Sequence, residues 1–276
     1  MPVVFKKVIG KVSKLSKNTQ FSDFKLNFSG GKNQNIKIGD SAFGLEIDHA
    51  EPCVSLTSFL ENKKKQNFLF NYLPCVGNKV YKERFESDFG IITGKHGGRQ
   101  GHVIADFPDT ALEKTSSKEK FIIECNGQNC RTGVKNVKML NCDSSLFTKF
   151  TKRREDNIII AMKNIVPDYL IGSGIGSKFG VFDIDIISDD NAELKNKKLS
   201  KIKLGDIIGL DNICVLKYPT RIKGFITIGV ISHGDSKIPG HGPGVTPLIT
   251  GKKENITIKT DSESNIGKLL KIGRYR

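Results

Sequence analysis

The chain has 276 residues, 37% of them apolar, which is enough for one large hydrophobic core or two ordinary ones. No run of sequence approaches the roughly 18 apolar residues of a membrane-spanning helix, and the N-terminus lacks a secretion signal, so we expect a cytoplasmic protein. The net charge is +15, but lysine outnumbers arginine 36 to 8 and is spread along the chain. Nucleic-acid contacts favour clustered charge and arginine, so this distribution favours a solvated surface over a nucleic-acid interface.

Six cysteines are scattered through apolar or strand-like segments. Without an export signal, reduced structural thiols are the expected state. The closest pair, Cys125 and Cys130, is separated by four residues, and no second Cys or His pair stands near it. This spacing favours structural thiols over a zinc site.

In the first half of the chain, the hydrophobic pattern predicts strands at 3–13, 21–28 and 35–40. A long helix is predicted over residues 55–73, where apolar side chains fall near helical spacing around a lysine-rich face. Pro74 would end this helix. We expect it to be the longest helix of the protein.

The remaining elements follow the same rules of periodicity. Residues 181–187 alternate between apolar residues and aspartate, which predicts a strand with one face in solvent. The other predicted elements are strands at 120–124, 157–163, 201–204, 225–231 and 255–260, and short helices at 109–114, 143–150, 191–200 and 266–272. These elements indicate an α+β fold that is mainly β, with two β-rich, barrel-like portions and a few short helices.

A highly charged segment at 149–156 indicates a boundary between an N-terminal domain, 1–150, and a C-terminal domain, 151–276. A short repeat supports two related β-modules, since residues 36–40 have the sequence IKIGD and residues 202–206 have IKLGD. Glycine permits a turn after a strand, and the aspartate that follows can bind the backbone of that turn.

The most informative stretch is 229–251, GVISHGDSKIPGHGPGVTPLITG. An apolar strand is expected to break here into a long loop that holds His233, Asp235 and His241 among glycines and prolines. Two imidazoles and a carboxylate on a loop anchored to a buried strand are typical of a catalytic site. We therefore predict these three residues as catalytic; the alternative is a glycine-rich turn with hydrogen-bonded histidines.

Two other segments carry ionisable side chains in irregular backbone. The first is DHAEP at 48–52, whose side chains, with that of His241, form the predicted metal site: Asp48, His49, Glu51 and His241. The second is GKHGG at 94–98, a glycine-flanked pair of cations that could form an anion nest or a solvent-facing hairpin. With the later glycine loops, it supplies the predicted ligand-binding residues: Lys95, His96, Gly97, Gly172, Gly174, Gly242, Gly244 and Thr246.

All five histidines lie beside glycine or an acid. Mixed nitrogen and oxygen ligands suit zinc or another divalent ion. Because a β-scaffold brings the loops at one end together, at least two of the segments around His49, His96 and His241 are predicted to line one cleft.

Several motifs in this order resemble the prokaryotic family known as domain of unknown function 4438, and the resemblance spans nearly the whole chain. They include TGKHGG at 93–98 and GHGPGVT at 240–246, with DHAEP, CVGN and the two Gly-Asp turns. The resemblance implies a β-rich fold in two parts and no established activity. Members of that family carry a further Asp-His pair where this chain has Asp211-Asn212, so a function of that histidine would be altered here.

A fainter likeness to acetamidases and formamidases indicates amide hydrolysis as the reaction class. The first hypothesis is a metal-assisted hydrolase of a small amide or related polar molecule, with a divalent metal, zinc first, as cofactor. The alternatives are a non-catalytic module that binds a small anion and, from charge alone, a nucleic-acid binder. The expected partner is a small polar or anionic molecule, without membrane or nucleic acid, and the sequence is compatible with a homo-oligomer.

Overall fold

The computed structural model describes residues 6–12, 36–45, 47–57, 64–82, 85–97, 101–113, 120–177, 182–188, 193–194 and 198–276. The strands are β1 (Lys6–Val12), β2 (Val54–Thr57), β3 (Lys79–Lys82), β4 (Phe85–His96), β5 (His102–Asp106), β6 (Lys120–Cys125), β7 (Val137–Met139), β8 (Thr151–Arg154), β9 (Asn157–Met162), β10 (Asn164–Val166), β11 (Ile184–Asp185), β12 (Ile207–Cys214), β13 (Thr220–His233), β14 (Gly244–Lys252) and β15 (Ile256–Thr260). The α-helices are α1 (Lys64–Tyr72), α2 (Asp109–Glu113), α3 (Ser144–Phe150) and α4 (Ile266–Leu270). The fold is mainly β with few short helices, as the sequence predicts.

The N-terminal strands form a closed six-stranded barrel in the order β1-β2-β5-β4-β3-β6. Its interior holds a cluster of aliphatic and aromatic side chains that includes Leu56, Val80, Ile92 and Phe121. These residues alternate with outward-facing ones along their strands, as the period of two in a strand requires.

The C-terminal strands form a sheet in the order β10-β12-β13-β14-β11, with β7 paired to β14, and a separate three-stranded sheet, β15-β9-β8. Strands β12 and β14 and the second half of β13 are mostly buried and rich in β-branched residues, which suit a sheet covered on both faces. The larger of two buried clusters surrounds them. β7 links the two parts, because it belongs to the N-terminal half of the chain and pairs with β14.

Barrel and sheet meet where β4 crosses β13 and β14. The Lys95 backbone N–H donates to Thr246 Oγ1 at 2.8 Å, and the Thr246 hydroxyl donates to the Lys95 carbonyl at 3.1 Å. A Cβ on Gly94 would lie 2.4 Å from Ser232 Cβ, so glycine permits this close crossing. The crossing places the end of β4 beside the end of β13.

The two Gly-Asp repeats form matching turns, not the strands predicted at 35–40 and 201–204. The Asp40 carboxylate accepts the Lys37 N–H at 2.8 Å, and the Asp206 carboxylate accepts the Lys203 N–H at 2.7 Å. Both glycines have a positive φ, +103° and +86°. The turns also bind each other, since Gly39 N–H donates to the Leu204 carbonyl and Leu204 N–H to the Asp40 carbonyl, both at 2.9 Å.

The predicted helix at 55–73 is wrong over its first residues, because Val54–Thr57 is a strand that pairs with β1 and β5. Its β-branched residues fit the barrel wall, and tertiary pairing overrides the apparent helical spacing. The helical part, Lys64–Tyr72, is the longest helix in the described ranges. The predicted strand at 21–28 lies outside the described residues.

Two further expectations about the C-terminal half are wrong. The loop of the 229–251 stretch spans only residues 234–243, because β13 extends to His233 and β14 begins at Gly244. The 181–187 segment has no wet face where it is described, because the aspartates at 183 and 185 are as buried as their apolar neighbours. Within the helix predicted at 191–200, the described residues 193–194 are helical and residues 199–201 form a 3₁₀ turn, while 191–192 and 195–197 lie outside the described residues.

In the part of the chain that the structure describes, no helix is long and apolar enough to cross a membrane.

Candidate metal centre

All five histidines of the chain lie together where the barrel meets the sheet. The ring centroids of His96 and His233 are 4.3 Å apart, and His96 lies 5.1 Å from His102. His49 lies 5.6 Å from His96 and 5.4 Å from His241. The predicted convergence of the segments around His49, His96 and His241 is therefore confirmed.

Strand ends position three of these rings. His96 ends β4 and pairs with His102, the first residue of β5, across the hairpin between them. His233 ends β13 and pairs with Gly244, the first residue of β14. The β4 crossing described above brings these strand ends together.

Loops position the other two rings. The His49 backbone has φ of +51°, and its N–H donates to the Asp235 carbonyl at 2.9 Å. Gly234 N–H donates to the Ala50 carbonyl at 2.8 Å, so the 48–52 loop is paired to the start of the 234–243 loop. His241 lies farther along that second loop, at the exposed edge of the cluster.

Two of the possible metal-ligand groups lie on the side of the cluster nearest the sheet. Within each group, one ligand atom from every residue lies within 4.8 Å of the others. We call them the inner group, His96, Asp183 and His233, and the outer group, His49, Asp185 and His241.

The inner group is almost entirely buried. His233 has no exposed surface, its Nε2 lies 2.7 Å from Asp183 Oδ2, and its Nδ1 donates to the Gly234 carbonyl at 2.9 Å. Asp183 Oδ1 accepts the Gly97 N–H at 2.8 Å. Burial would raise the pKa of Asp183, but the nearby charges and hydrogen bonds of His96 and His233 outweigh it and lower the pKa.

The outer group extends from the interior to solvent. Asp185 Oδ2 lies 2.9 Å from His241 Nδ1, and the side chain of His241 is 35% exposed. Burial, followed by the charge of Asp183, raises the pKa of Asp185 to about 8. Burial and the charge of His233 lower the pKa of His49 to about 4.

Two carboxylates stand behind three of the rings. Asp48 Oδ2 accepts from His49 Nδ1 at 2.9 Å, and its Oδ1 accepts the Lys237 N–H at 2.8 Å. The buried Glu51 accepts from His96 Nδ1, from His102 Nε2 and from the Ser55 hydroxyl. Burial would raise the pKa of Glu51, but the charges and hydrogen bonds of His102 and His96 hold it well below its usual range. Glu51, His96 and His102 form a third possible metal-ligand group.

The cluster brings together the predicted site residues Asp48, His49, Glu51, His96, His233 and His241. It also contains two aspartates that the sequence prediction missed. Asp183 and Asp185 are the alternating acids of 181–187, assigned there to a wet face. The sequence carries no separate signal for them, because apolar residues alternating with aspartate fit a half-exposed strand equally well.

Three other predicted site residues have their side chains elsewhere. The Asp235 carboxylate accepts the Gly44 N–H at 3.0 Å and so supports a neighbouring loop. The buried Lys95 ammonium donates to Asn141 Oδ1 at 2.8 Å and to the Tyr72 carbonyl at 3.0 Å, and burial lowers its pKa to about 8. Thr246 is fully buried and bonds the Lys95 backbone. Catalytic or ligand-binding roles for them stay predictions.

The predicted ligand-binding glycines pack tightly around the aspartates. A Cβ on Gly172 would lie 2.0 Å from the Gly240 carbonyl oxygen, one on Gly174 2.2 Å from the Asp183 carbonyl oxygen, and one on Gly242 1.8 Å from the Ile186 carbonyl oxygen. Each of these distances is far inside van der Waals contact. The glycines therefore let backbone segments approach one another beside the cluster.

Gly244 is the most sensitive glycine of the site. A Cβ there would lie 1.9 Å from His233 Nε2, and the buried ring has no room to move. We expect Gly244→Ala to lower the free energy of unfolding by about 1–3 kcal/mol through overpacking. The same change should weaken zinc binding, measured by calorimetry.

The control for this prediction is Gly176→Ala. A Cβ at Gly176 meets nothing within 4 Å, although φ is +83°. We expect only the roughly 1–2 kcal/mol of a left-handed residue and unchanged zinc affinity. Equal zinc affinity in both variants would show that the His233 ring does not bind metal.

Position 212, where the resemblance implies a histidine and this chain has asparagine, lies outside the cluster. Asn212 has φ of +53° at a bulge in β12, and its side chain donates to Asp168 and accepts from Lys253. The cluster of histidines does not include this position. The missing histidine thus leaves the inner and outer groups intact.

None of the described cysteines belongs to a possible metal-ligand group, and all six thiols are free. Burial raises the pKa of Cys53 and Cys125 to about 12. These thiols are therefore inert structural groups at neutral pH.

Comparisons with known proteins agree with the motif analysis. A solved structure described as "Crystal structure of TM1086" superposes with a TM-score of 0.84 at 28% sequence identity, covering 97% of this chain and 96% of that one. No curated protein matches the chain. Residues 18–148 match the model "Domain of unknown function (DUF4438), N-terminal", and residues 149–270 match "Domain of unknown function (DUF4438), C-terminal". The chain belongs to the family of domain of unknown function 4438.

Proposed function

We propose that the protein is a divalent-metal-dependent hydrolase of a small amide or related polar molecule. The observation that carries the proposal is the orientation of His233. Its Nδ1 faces the Gly234 carbonyl, which can only accept a hydrogen bond, so Nδ1 carries a proton. Nε2 is then the ring nitrogen that a metal would use, and it lies 2.7 Å from Asp183 Oδ2, so the two atoms are placed to hold the same ion.

The carboxylates behind the other rings support the same conclusion. A ligating histidine almost always donates its second N–H to a carboxylate or carbonyl, which fixes the tautomer and the ring orientation. Asp48 holds Nδ1 of His49 in this way, and Glu51 holds Nδ1 of His96. Metal binding by these two rings would use Nε2. Asp48 and Glu51, predicted as ligands, are therefore proposed as positioning residues.

Mixed histidine and aspartate ligands suit zinc, although they do not exclude another divalent ion. Catalytic metal sites keep one position open to substrate. Among the described residues, His241 has the most exposed ring of the cluster, at 35%, while His49 and His233 are buried. Access at the His241 edge fits a small polar substrate.

A bound divalent ion would supply an activated water and polarise a carbonyl oxygen. The protein residues would hold that ion, orient the substrate at the exposed edge and exclude bulk water. His241 lies where the cluster meets solvent, so it would hold the ion at the edge that a substrate reaches. Its Nδ1 lies 2.9 Å from Asp185 Oδ2, so the two side chains are placed to bind the same ion.

The anion-binding alternative has less support because the donors it requires are engaged within the chain. Gly97 N–H donates to the Asp183 carboxylate, and Gly172 N–H donates to the Asp185 carbonyl. The Lys95 ammonium donates to Asn141 and Tyr72. The Asp183 carboxylate and oxygens of other residues thus accept the hydrogen bonds that a small anion would otherwise accept.

Adding zinc to chelator-treated protein is expected to raise the melting temperature. A ligand that binds only the folded state stabilises it by about 4.1 kcal/mol at 1,000 times its Kd. For a chain of this size, that corresponds to a shift of roughly 10 °C. The measurement is a thermal melt with and without zinc, with magnesium as the comparison ion. An unchanged melting temperature and no retained zinc would contradict the metal site.

Activity is tested by ammonia release from a panel of small aliphatic amides at neutral pH. We expect release by the zinc-loaded protein, loss after chelation and recovery when zinc returns. If the protein retains zinc but hydrolyses no member of the panel, the hydrolase assignment fails and a metal-binding module remains.

A further inference from the structure

Asp185 lies between two histidines, and each of its oxygens faces a different one. Oδ1 is 3.7 Å from His233 Nε2 in the inner group, and Oδ2 is 2.9 Å from His241 Nδ1 in the outer group. A carboxylate that serves a single ion directs one or both oxygens at the same point. Two oxygens aimed at separate histidine groups are expected of a carboxylate that bridges two ions.

The ligand atoms also separate into two groups of three. One ion bonds its nitrogen and oxygen ligands at about 2.0–2.2 Å, so ligand atoms on opposite sides of that ion are at most roughly 4.4 Å apart. The atoms of each group lie within 4.8 Å of one another, which fits one ion with small adjustments. The His49 and His233 rings, which belong to different groups, have centroids 5.2 Å apart, so the two groups are adjacent.

Each of the two groups contains its own buried carboxylate. Asp183 belongs to the inner group and Asp185 to the outer group, and both are buried. Buried charges are stable in a protein only when they are paired or bind metals. Each group therefore has a carboxylate that would offset the charge of a cation bound there.

We infer that the protein binds two divalent ions side by side, one in the inner group and one in the outer group, with the Asp185 carboxylate bridging them. This inference rests on the proposed function and extends it. Ions in two-metal sites are about 3.5–4 Å apart and together hold the attacking and leaving atoms of a hydrolysed substrate. In this arrangement, Glu51 and Asp48 orient ligand rings, and His102 orients Glu51.

The experiment uses the full chain, stripped by chelation and dialysed against Mn²⁺ alone. Elemental analysis gives the number of ions per chain, and electron paramagnetic resonance shows whether the ions are magnetically coupled. We expect two Mn²⁺ per chain and the spectrum of a coupled pair. His241→Ala, at the exposed edge, should retain one Mn²⁺ with the spectrum of an isolated ion.

His233→Ala should also retain one ion, in the outer group, and Asp185→Asn should abolish the coupled spectrum. The matched control is Glu254→Gln, a surface carboxylate that pairs with Lys252, and it should retain the coupled pair. Circular dichroism shows which variants are folded. If His233→Ala is unfolded, the wild-type protein and His241→Ala still decide the question.

A wild-type protein that holds one ion, lost in both histidine variants, would overturn the two-ion centre and leave the proposed function standing. Three ions per chain would also overturn it, because Glu51 and His102 would then be ligands of a separate ion. A wild-type protein that holds no ion would overturn both the centre and the proposed function.

Discussion

Replacing Asp183 by asparagine is expected to lower zinc affinity by at least about 100-fold while the fold is retained. Removing a residue that only orients a ligand already costs about 10–100-fold, and Asp183 is proposed as a ligand itself. Calorimetric titration of chelator-treated protein with zinc measures the change. Activity toward any amide that the wild-type protein hydrolyses should fall in parallel.

The fold should survive because asparagine satisfies the same contacts. Its Oδ1 can accept the Gly97 N–H, as Asp183 Oδ1 does at 2.8 Å. Its Nδ2 can donate to His233 Nε2, whose ring has its proton on Nδ1 facing the Gly234 carbonyl. The substitution does remove the attraction of His96 and His233 that lowers the pKa of Asp183, and a carboxyl group with a lowered folded-state pKa stabilises the fold when it is ionised. We therefore expect the metal-free variant to be folded but somewhat less stable than the metal-free wild-type protein.

Zinc affinity and the stability of the metal-free protein are measured separately, which separates a metal role of Asp183 from a structural one. The conservative surface variant Glu254→Gln should change neither the zinc affinity nor the stability of the metal-free protein. If Asp183→Asn keeps wild-type zinc affinity, Asp183 is not a ligand. If it instead unfolds in the absence of metal, the carboxylate is a structural group.

The site could be predicted from the sequence where residue type alone carries the signal. Histidine is scarce in this chain, and each histidine lies beside glycine or an acid, so their convergence was predictable without knowing the barrel. What could not be predicted is the pairing between segments far apart in sequence. His96 meets His233 because β4 crosses β13, and no local pattern encodes that crossing.

The acids of the site were harder to find for a related reason. Alternation of apolar residues and aspartate has the same period in a half-exposed strand and in a strand whose polar face lines a buried site. The residues that pack against that face decide between the two, and in this protein they are the histidines of the cluster. Short apolar runs are also ambiguous between helix and strand, and this ambiguity led to the error at 55–73, where strand residues that fit the barrel precede a real helix.

The roles of individual residues depend on contacts that are invisible in the sequence. Asp235 lies two residues after His233, yet its carboxylate points to Gly44. Asp48 and Glu51, predicted as ligands from DHAEP, contact Nδ1 of His49 and Nδ1 of His96, and their roles as metal ligands stay predictions. Side-chain direction in irregular backbone follows from tertiary hydrogen bonds rather than from spacing.

Replacing Arg276 by alanine is expected to destabilise the protein by about 3 kcal/mol at pH 7. The Asp106 side chain at the end of β5 is fully buried, and Arg276 pairs with its Oδ2. Arg276 Nη1 also donates to the Phe107 carbonyl at 3.1 Å. Breaking a buried ion pair by removing one partner costs about 3–5 kcal/mol, and the lower end applies because Arg276 is 37% exposed.

The loss should depend on pH. Burial raises the pKa of Asp106, and the charge of Arg276 opposes that rise, so the pKa should be higher still in the variant. A carboxyl group with a raised folded-state pKa is neutral at low pH, and stability is lost as pH rises through that pKa. Urea unfolding should therefore show a smaller difference between variant and wild type at pH 4 than at pH 7.

Arg274→Ala is the matched control, because Arg274 forms an ion pair with Asp40 on the surface, with its side chain 50% exposed. Exposed pairs contribute about 0.2–1 kcal/mol, so this variant should lose little stability at either pH. If Arg276→Ala and Arg274→Ala lose equal stability, Arg276 does not compensate a buried charge. If the loss in Arg276→Ala is the same at pH 4 and pH 7, it comes from the Phe107 contact rather than from the Asp106 carboxylate.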